Sequence, residues 1–336
     1  MTGTRPLPLV SVVTPFFNTA PYLAECIESV LAQDYDNFEY ILADNCSTDD
    51  SLAIARQYAE RDPRIRVVSH TDFIDQDANY NRALSYISPS SRYVKIAQAD
   101  DTLMRHCLME LVALAEVHPS AGIVSCCFLT GDALAGHGLP FDRNFFSGRE
   151  ACRTRLLTGG TYFGSPTCLL YRADIVRARP SFFGANESNA DTTACFEILS
   201  SSDFARVPQI LCRLRRGNPS VSDALRRHGA ASFLNYALVE RFGPVFLDEA
   251  ELVKRRKMLR DIYLRLLARA VPVRNNGPFW QFHREALATL GQSLPRVAIG
   301  WRFLDYVLQK ILNPRQSIEL AVQALRESES EKRSIG

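Results

Sequence analysis

The stretch Y-V-K-I-A-Q-A-D-D-T-L, Tyr93 to Leu103, decides how the rest of the chain is read. An apolar, β-branched run ends in two adjacent carboxylates, Asp100 and Asp101. Thr102 follows, a polar residue suited to starting a helix. A buried strand that delivers acids to its C-terminal end is how an α/β sheet builds a ligand site. Paired carboxylates there suit a divalent cation that in turn holds phosphates. Read alone, the stretch fits equally an Asp pair in a loop, with one member capping a helix.

The preceding hundred residues separate these readings. Leu9 to Thr14 (L-V-S-V-V-T) is a short β-branched run that stops at Pro15, the mark of a buried parallel strand. After the loop P-F-F-N, Pro15 to Asn18, helical periodicity runs from Pro21 to Gln33, with Tyr22, Leu23, Cys26, Ile27, Val30 and Leu31 on one face. Phe38 to Ala43 is a second strand, ending in Asp44. The cap-rich D-N-C-S-T-D-D then opens a helix over 50–61. Ile65 to Ser69 is a third strand, Asp77 to Ser88 a helix, and Arg92 to Gln98 the strand that leads to the two acids. Such alternation predicts a mostly parallel sheet wrapped by helices. Right-handed crossovers place all the strand ends on one edge. The loop after Thr14, Asp44 and the Asp100–Asp101 pair then converge on one crevice, where open α/β sheets bind nucleotides. Neither G-x-G-x-x-G nor G-x-x-x-x-G-K-[ST] occurs. Phosphates are therefore expected to be held through a metal, which disfavours both a dehydrogenase and a P-loop enzyme.

Farther on, the pattern predicts a helix from Leu103 to His118, a strand from Ile123 to Phe128, and an exposed, mobile loop over Leu134 to Asn144. A helix over Arg149 to Leu157 precedes a glycine-rich turn with Pro166 and a strand over Thr167 to Tyr171. Phe182 to Asn189 reads as loop. Asp191 opens the next helix, either as its N-cap or as a functional carboxylate. Val207 to Arg213 is a strand, followed by the basic turn R-L-R-R-G-N-P-S, in which Arg213, Arg215 and Arg216 are candidates to reach a diphosphate. After Asp223 the pattern turns helical, over 225–242, 249–270, 278–291 and 300–326. Phe303, Leu304, Val307, Leu308, Ile311 and Leu312, with Trp301 close by, form an apolar stripe expected to pack as core rather than against a membrane. Two domains follow from this shift in character, 1–222 and 223–336.

Composition sets limits. With 46% hydrophobic and 23% charged residues in 336, the chain has the make-up of a soluble globular protein. It has no apolar run of about 18 residues, so no transmembrane helix is expected, and its N-terminus lacks the apolar core of a secretory signal. Nine scattered cysteines without C-x-x-C spacing argue against a zinc site or a disulfide framework and for reduced thiols in a cytoplasmic protein. From Leu225 onward there are 19 Lys and Arg against 11 Asp and Glu, a balance of +8, which leaves −6 for the first 224 residues. The acidic part suits a metal-dependent site. The basic helical part is either solvated surface or a face toward an anionic membrane or acceptor.

At this point a family pattern is visible. The N-terminal part resembles family 2 of the inverting glycosyltransferases, on four segments: V-S-V-V-T-P-F-F-N with E-C-I-E-S-V-L-A-Q behind it, Y-I-L-A-D-N-C-S-T-D, A-N-Y-N-R-A-L, and A-D-D-T-L. A weaker fifth match is A-D-T-T with L-C-R-L-R behind it. The likeness covers about 8–222 and is strongest up to 105. It implies a GT-A-type nucleotide-diphospho-sugar transferase fold, a mixed and mostly parallel sheet flanked by helices, with an all-helical C-terminal region outside the likeness. Carried over, it implies that Pro15, Phe17, Asn18 and Asn81 border the nucleotide. Asp44 would accept a hydrogen bond from the base, and Asp100 would contact the ribose or diphosphate. Asp101 would ligate Mn2+ or Mg2+, and Asp191 would be the general base. Two positions depart from the pattern: Gln98 stands where an Asp often opens the metal motif, and Tyr80 where an Arg often precedes the helix Asn.

The resemblance implies transfer of a sugar from a nucleotide-sugar donor, a UDP-sugar in first place, to a hydroxyl of a glycan or lipid-linked glycan. The setting would be bacterial-type surface polysaccharide or glycoconjugate synthesis, at a cytoplasmic location with contact to the inner membrane surface. No nucleic-acid partner is expected. No G-x-S-x-G motif or Cys/His pairing suggests a covalent nucleophile. A sugar nucleotidyltransferase and a non-catalytic nucleotide- or sugar-binding scaffold stand as alternatives.

Overall fold

A computed structural model describes residues 6–184, 189–216, 225, 227–272 and 277–312. The expected helical continuation over 313–326, the charged tail and the end of the basic turn at 217–220 lie outside these residues. The chain divides into two units, one formed by 1–220 with 242–247, the other by 221–241 with 248–336.

In the first unit the elements run β1 (Val10–Phe16), α1 (Ala20–Leu31), β2 (Phe38–Asp44), α2 (Ser51–Ala59), β3 (Ile65–Ser69), α3 (Gln76–Leu84), β4 (Tyr93–Ile96), β5 (Thr102–Leu103), α4 (Cys107–Val117), β6 (Ala121–Thr130), β7 (Ala133–Ala135), β8 (Phe145–Phe146) and α5 (Gly148–Thr158). A 3-10 turn (Pro166–Cys168), β9 (Leu169–Arg172), α6 (Ala173–Ala178), α7 (Ala190–Ile198) and β10 (Asp203–Leu214) follow. The strands form one sheet in the order β3-β2-β1-β4-β9-β6-β10-β5, with β7 on β6 and β8 on β10. β1, β2, β3 and β4 run parallel, as do β6 and β10, while β9 is antiparallel to both β4 and β6. The sheet is mixed, and its parallel half carries the alternation read from the sequence.

Pro15 shapes the sheet edge. β1 pairs with β2 as far as Phe16 opposite Asp44, but with β4 only as far as Val13 opposite Ile96. Ala97 N donates to Val13 O at 3.0 Å, and Asn45 N donates to Phe16 O at 2.9 Å. Alternate residues face alternate neighbours, so Pro15 turns toward β4 like Val13, and it has no N–H to offer there. β1 does not stop at Pro15, as the sequence suggested. It continues along β2 alone, and a gap opens between β1 and β4. Thr14 closes the floor of that gap, with its hydroxyl donating to Ala97 O at 2.7 Å and lying 3.0 Å from the Tyr40 hydroxyl.

Below the crevice, Leu23, Cys26, Ile27 and Val30 of α1 are buried, the face that the periodicity marks. Two other expectations change. Thr102 does not start a helix: Thr102 and Leu103 pair antiparallel with Arg213 and Cys212, and α4 begins at Cys107. The end of β10 offers ladder partners to this β-branched and apolar pair. The loop over 134–144 is tied down rather than exposed throughout. Arg206 is fully buried and donates to the carbonyls of Gly136 at 2.9 Å and Pro140 at 3.2 Å, and Leu139 is buried with it.

The second unit is helical, with α8 (Ala230–Phe246, its last turn belonging to the first unit), α9 (Glu249–Ala270), α10 (Gly277–Thr289) and α11 (Arg296–Leu312). Asp248 and Glu251 form a capping box that starts α9. His283, which has no solvent exposure, pairs Nδ1 with the Tyr263 hydroxyl at 3.0 Å and Nε2 with His228 O at 3.0 Å. Burial pushes its imidazole down from 6.5 to about 4, against the opposing pull of the His228 carbonyl. The unfolded chain therefore takes up a proton at His283 before the folded one does. Stability held above pH 6.5 is expected to fall as pH drops from there toward about 4. Urea unfolding at several pH values should show this slope, and His283→Gln should flatten it.

Candidate active site

Three parallel strands, β2, β1 and β4, end along one edge of the sheet, with the gap beside Pro15 between the last two. Asp44, at the end of β2, is buried. Its Oδ1 accepts from Ser47 N at 3.0 Å and its Oδ2 from the Ser69 hydroxyl at 2.9 Å. Asn18 lies in the left-handed region, at φ 51°, which Asn tolerates. Its backbone N donates to Ser47 Oγ at 3.1 Å and its Oδ1 accepts from Thr48 N at 2.8 Å, so the P-F-F-N loop and the D-N-C-S-T loop brace each other. Pro15 is buried in β1, while Phe17 is exposed and packs 4.8 Å, centroid to centroid, from the exposed Phe73. Phe73 completes an apolar lip. It escaped sequence reading because a lone Phe in a polar loop has no periodicity.

Asp101 is the buried member of the acid pair, and Asp100 is half-buried beside it. The Thr167 hydroxyl donates to Asp101 Oδ2 at 2.6 Å, and Arg215 N donates to Oδ1 at 3.1 Å. Each oxygen keeps a lone pair. Burial, with the Asp100 charge next, pushes the carboxyl up from 3.8 to about 7, while Thr167 and Arg215 pull it down. Gly164 makes the turn that brings Thr167 here. It sits at φ 67°, and a Cβ on it would lie 2.8 Å from Cys168 Cβ. The buried ammonium of Lys95, on β4, holds the Thr167 carbonyl. Arg215 also donates from Nε to Asp100 O at 3.1 Å, pairs with Glu25, and lies over the Tyr22 ring. Of the three arginines in the basic turn, Arg215 is the one engaged with the acid pair. Arg213 sits in the ladder opposite Thr102, and Arg216 donates to Thr130 Oγ1 at 2.8 Å.

Asp191 lies inside the first turn of α7, whose N-cap is Asn189, so the capping alternative does not hold. Its Oδ1 accepts from Thr192 N at 2.6 Å. Burial raises its carboxyl above the ordinary range, while its hydrogen bonds from Thr192 and, last, the Arg155 charge pull the other way.

Asn81 is engaged differently from its expected place beside a nucleotide. Its Nδ2 donates to Ser181 Oγ and Phe183 O, at 2.9 and 2.8 Å, and its Oδ1 accepts from Phe182 N and Phe183 N, both at 2.9 Å. All four of its amide hydrogen-bonding positions are occupied by the segment before Asp191. Its neighbour Tyr80 reaches the acid pair's surroundings instead: Gln98 Nε2 donates to the Tyr80 hydroxyl at 3.1 Å.

Among the described residues no three His, Cys, Asp or Glu side chains are grouped as a closed metal cage. A divalent ion that completes its shell with phosphate oxygens and water needs only one or two carboxylates. The buried Asp101 carboxylate, raised by burial and by the Asp100 charge, with one lone pair open on each oxygen, fits that requirement.

The sheet with its acid-tipped crevice is the architecture of GT-A-type nucleotide-diphospho-sugar transferases. The glycosyl transferase family 2 model matches residues 11–179, half of the sequence, and the chain belongs to that family. The putative glycosyltransferase EpsE of Bacillus subtilis (strain 168) is 35% identical over 132 residues, 39% of this chain and 47% of EpsE. The matched stretch spans 15% to 52% of the length of the first curated relatives. S. aureus TarS 1-349, solved in complex with UDP-GlcNAc, has a TM-score of 0.60 at 17% identity, covering 92% of each chain. The mannosyltransferase PcManGT from Pyrobaculum calidifontis, solved in complex with GDP-Man and Mn2+, has a TM-score of 0.56 at 19% identity, covering 91% of this chain and 86% of that one. At those identities the shared property is the fold.

In the metal-free chain Asp101 is expected to titrate near pH 7, which carbon-13 NMR of labelled aspartate can read. Thr167→Val removes a donor that favours the ionised form, and should move that midpoint upward by about one unit or more.

Proposed function

We propose that the chain is an inverting glycosyltransferase that moves a sugar from a nucleoside-diphosphate donor, a UDP-sugar in first place, to a hydroxyl of a glycan or lipid-linked glycan in bacterial-type surface polysaccharide or glycoconjugate synthesis. What supports this reading is two separate carboxylates, Asp101 and Asp191, both raised by burial and both within electrostatic reach of the Tyr80 phenol. The TarS and PcManGT complexes support a nucleotide-sugar ligand for this fold, and the Mn2+ in the latter supports a divalent ion, Mn2+ or Mg2+.

Asp101, with Asp100 beside it, would hold the cation, and Asp44 with the Phe17–Phe73 lip would receive the base. A divalent cation bound there offsets the negative charge that grows on the departing diphosphate. Asp191 takes the proton of the acceptor hydroxyl as its oxygen bonds to the anomeric carbon. The carbon–oxygen bond to the diphosphate breaks on the opposite face, and the anomeric centre inverts. A carboxylate raised by burial is a stronger base than a solvated one. Because Asp191 must be ionised to accept the proton, kcat should fall on the acid side at a pH above the ordinary carboxylate range.

Asp191→Asn is expected to lower kcat by about 10²–10⁴-fold while donor binding persists. Asp101→Ala should abolish turnover together with Mn2+ binding. Release of sugar-linked products from a panel of UDP-, GDP- and TDP-sugars with Mn2+ checks both. Binding without turnover would favour the scaffold reading, and release of pyrophosphate from a nucleoside triphosphate and a sugar phosphate a nucleotidyltransferase.

We also propose contact of the helical unit with an anionic membrane surface. No described helix is long and apolar enough to cross a membrane. The stripe on α11 expected as core is instead exposed at Trp301, Leu304, Leu308 and Ile311, between 52% and 70%, and Val297, in line with them, is exposed at 76%. These residues share one helix face, and the region from Leu225 carries the +8 balance. Sedimentation with phosphatidylglycerol vesicles should carry down the full chain, and the double variant Trp301→Glu, Leu308→Glu should stay in solution. Equal behaviour of the two would count against membrane contact.

A further inference from the structure

The two positions at which the chain departs from its family's pattern touch each other. Gln98 Nε2 donates to the Tyr80 hydroxyl at 3.1 Å. Proton counting sets the direction of this bond. Thr167 has one hydroxyl proton, carried by its 2.6 Å bond to Asp101, and its oxygen accepts from Gln98 N at 3.2 Å. Gln98 Oε1 accepts from the Ser165 hydroxyl, whose oxygen in turn accepts from Thr167 N at 3.4 Å. With Oε1 turned to Ser165, the amide presents Nε2 to Tyr80. The Tyr80 oxygen is then an acceptor, and its own proton has no acceptor among the described residues.

The Tyr80 side chain is half-buried beside Gln98. Phe183 packs edge-on against the Tyr80 ring at 5.7 Å, and the Asn81 clamp fixes the adjoining chain. Asp100, Asp101 and Asp191 all act on the phenol, so it lies within electrostatic reach of the three carboxylates to which the glycosyltransferase reading gives the diphosphate and acceptor roles. The phenol and the amide are neutral. Phosphates call for charged partners, whereas a sugar hydroxyl is a neutral acceptor.

We infer that Tyr80 is a specificity-determining residue that donates a hydrogen bond to a hydroxyl of the donor sugar, with Gln98 as the positioning residue that turns the phenol proton outward. This rests on the glycosyltransferase reading above. In that reading the pair contributes discrimination between sugars and adds nothing to the hold on the nucleotide.

Calorimetry on the full chain with Mn2+ tests it, using UDP, GDP and whichever nucleotide-sugar the parent turns over. Tyr80→Phe should raise the Kd for the nucleotide-sugar about tenfold and leave that for the matching free diphosphate within about twofold. Gln98→Glu, whose carboxylate would accept the phenol proton, should give the same selective loss with the ring intact. A donor lacking the recognised hydroxyl should bind parent and Tyr80→Phe alike. Parallel loss of diphosphate and nucleotide-sugar affinity in Tyr80→Phe, or no loss of either, would overturn the inference while the enzyme reading stood. If the parent turned over no nucleotide-sugar, the enzyme reading would fall, and the inference with it.

Discussion

One hydrogen bond, from the Thr167 hydroxyl to Asp101 Oδ2, ties the two halves of the sheet together at the site. Asp101 comes from the loop after β4, and Thr167 from the turn before β9, the strand that interrupts the parallel order. Thr167 also takes the Gln98 backbone N–H on its hydroxyl oxygen and the Lys95 ammonium on its carbonyl. A buried carboxylate without partners would be driven to protonate. Thr167 and the Arg215 N–H keep the Asp101 carboxylate oriented while leaving it short of positive charge. The surrounding glycine turn, buried lysine and antiparallel strand all bear on how this one side chain is held.

The parallel half of the fold was legible because its physics is local. β1, β2 and β4 are buried on both faces, so they read as short apolar runs, and α1 between the first two carries clean 3.6 periodicity. The convergence of Asp44 and the Asp100–Asp101 pair then followed from handedness alone. Thr102 was misread because its pairing with Arg213 is more than a hundred residues distant, and no local pattern encodes that. The 134–144 loop is largely exposed as expected, but its anchor was missed for the same reason: Arg206, a charged residue in a strand, gives no sign in sequence that its guanidinium will satisfy that loop's carbonyls.

At the site, the carboxylates were legible and their partners were not. An acid at a strand end announces itself. A threonine that will hold it, or a phenol that will meet a glutamine, looks like any other side chain until the fold brings them together. Asn81 shows the converse. Its segment marks the site, yet the structure commits its amide to the chain at 181–183. The expectation for α11 failed on another ground. An apolar stripe shows that burial is favourable but not what provides it, and the described residues leave much of it in solvent.

Pro15 has a consequence for tolerance to substitution. A sheet that leaves two neighbouring strands unpaired at one end is always at risk of zipping shut, since each added ladder bond favours closure. Any other residue at position 15 would present an N–H toward the strand that bears the acids. Pro15→Ala would therefore act as a latch rather than a defect. The substituted chain is expected to be more stable than the parent, with its crevice narrowed by backbone pairing, and a screen for thermal stability alone would select it for the wrong reason.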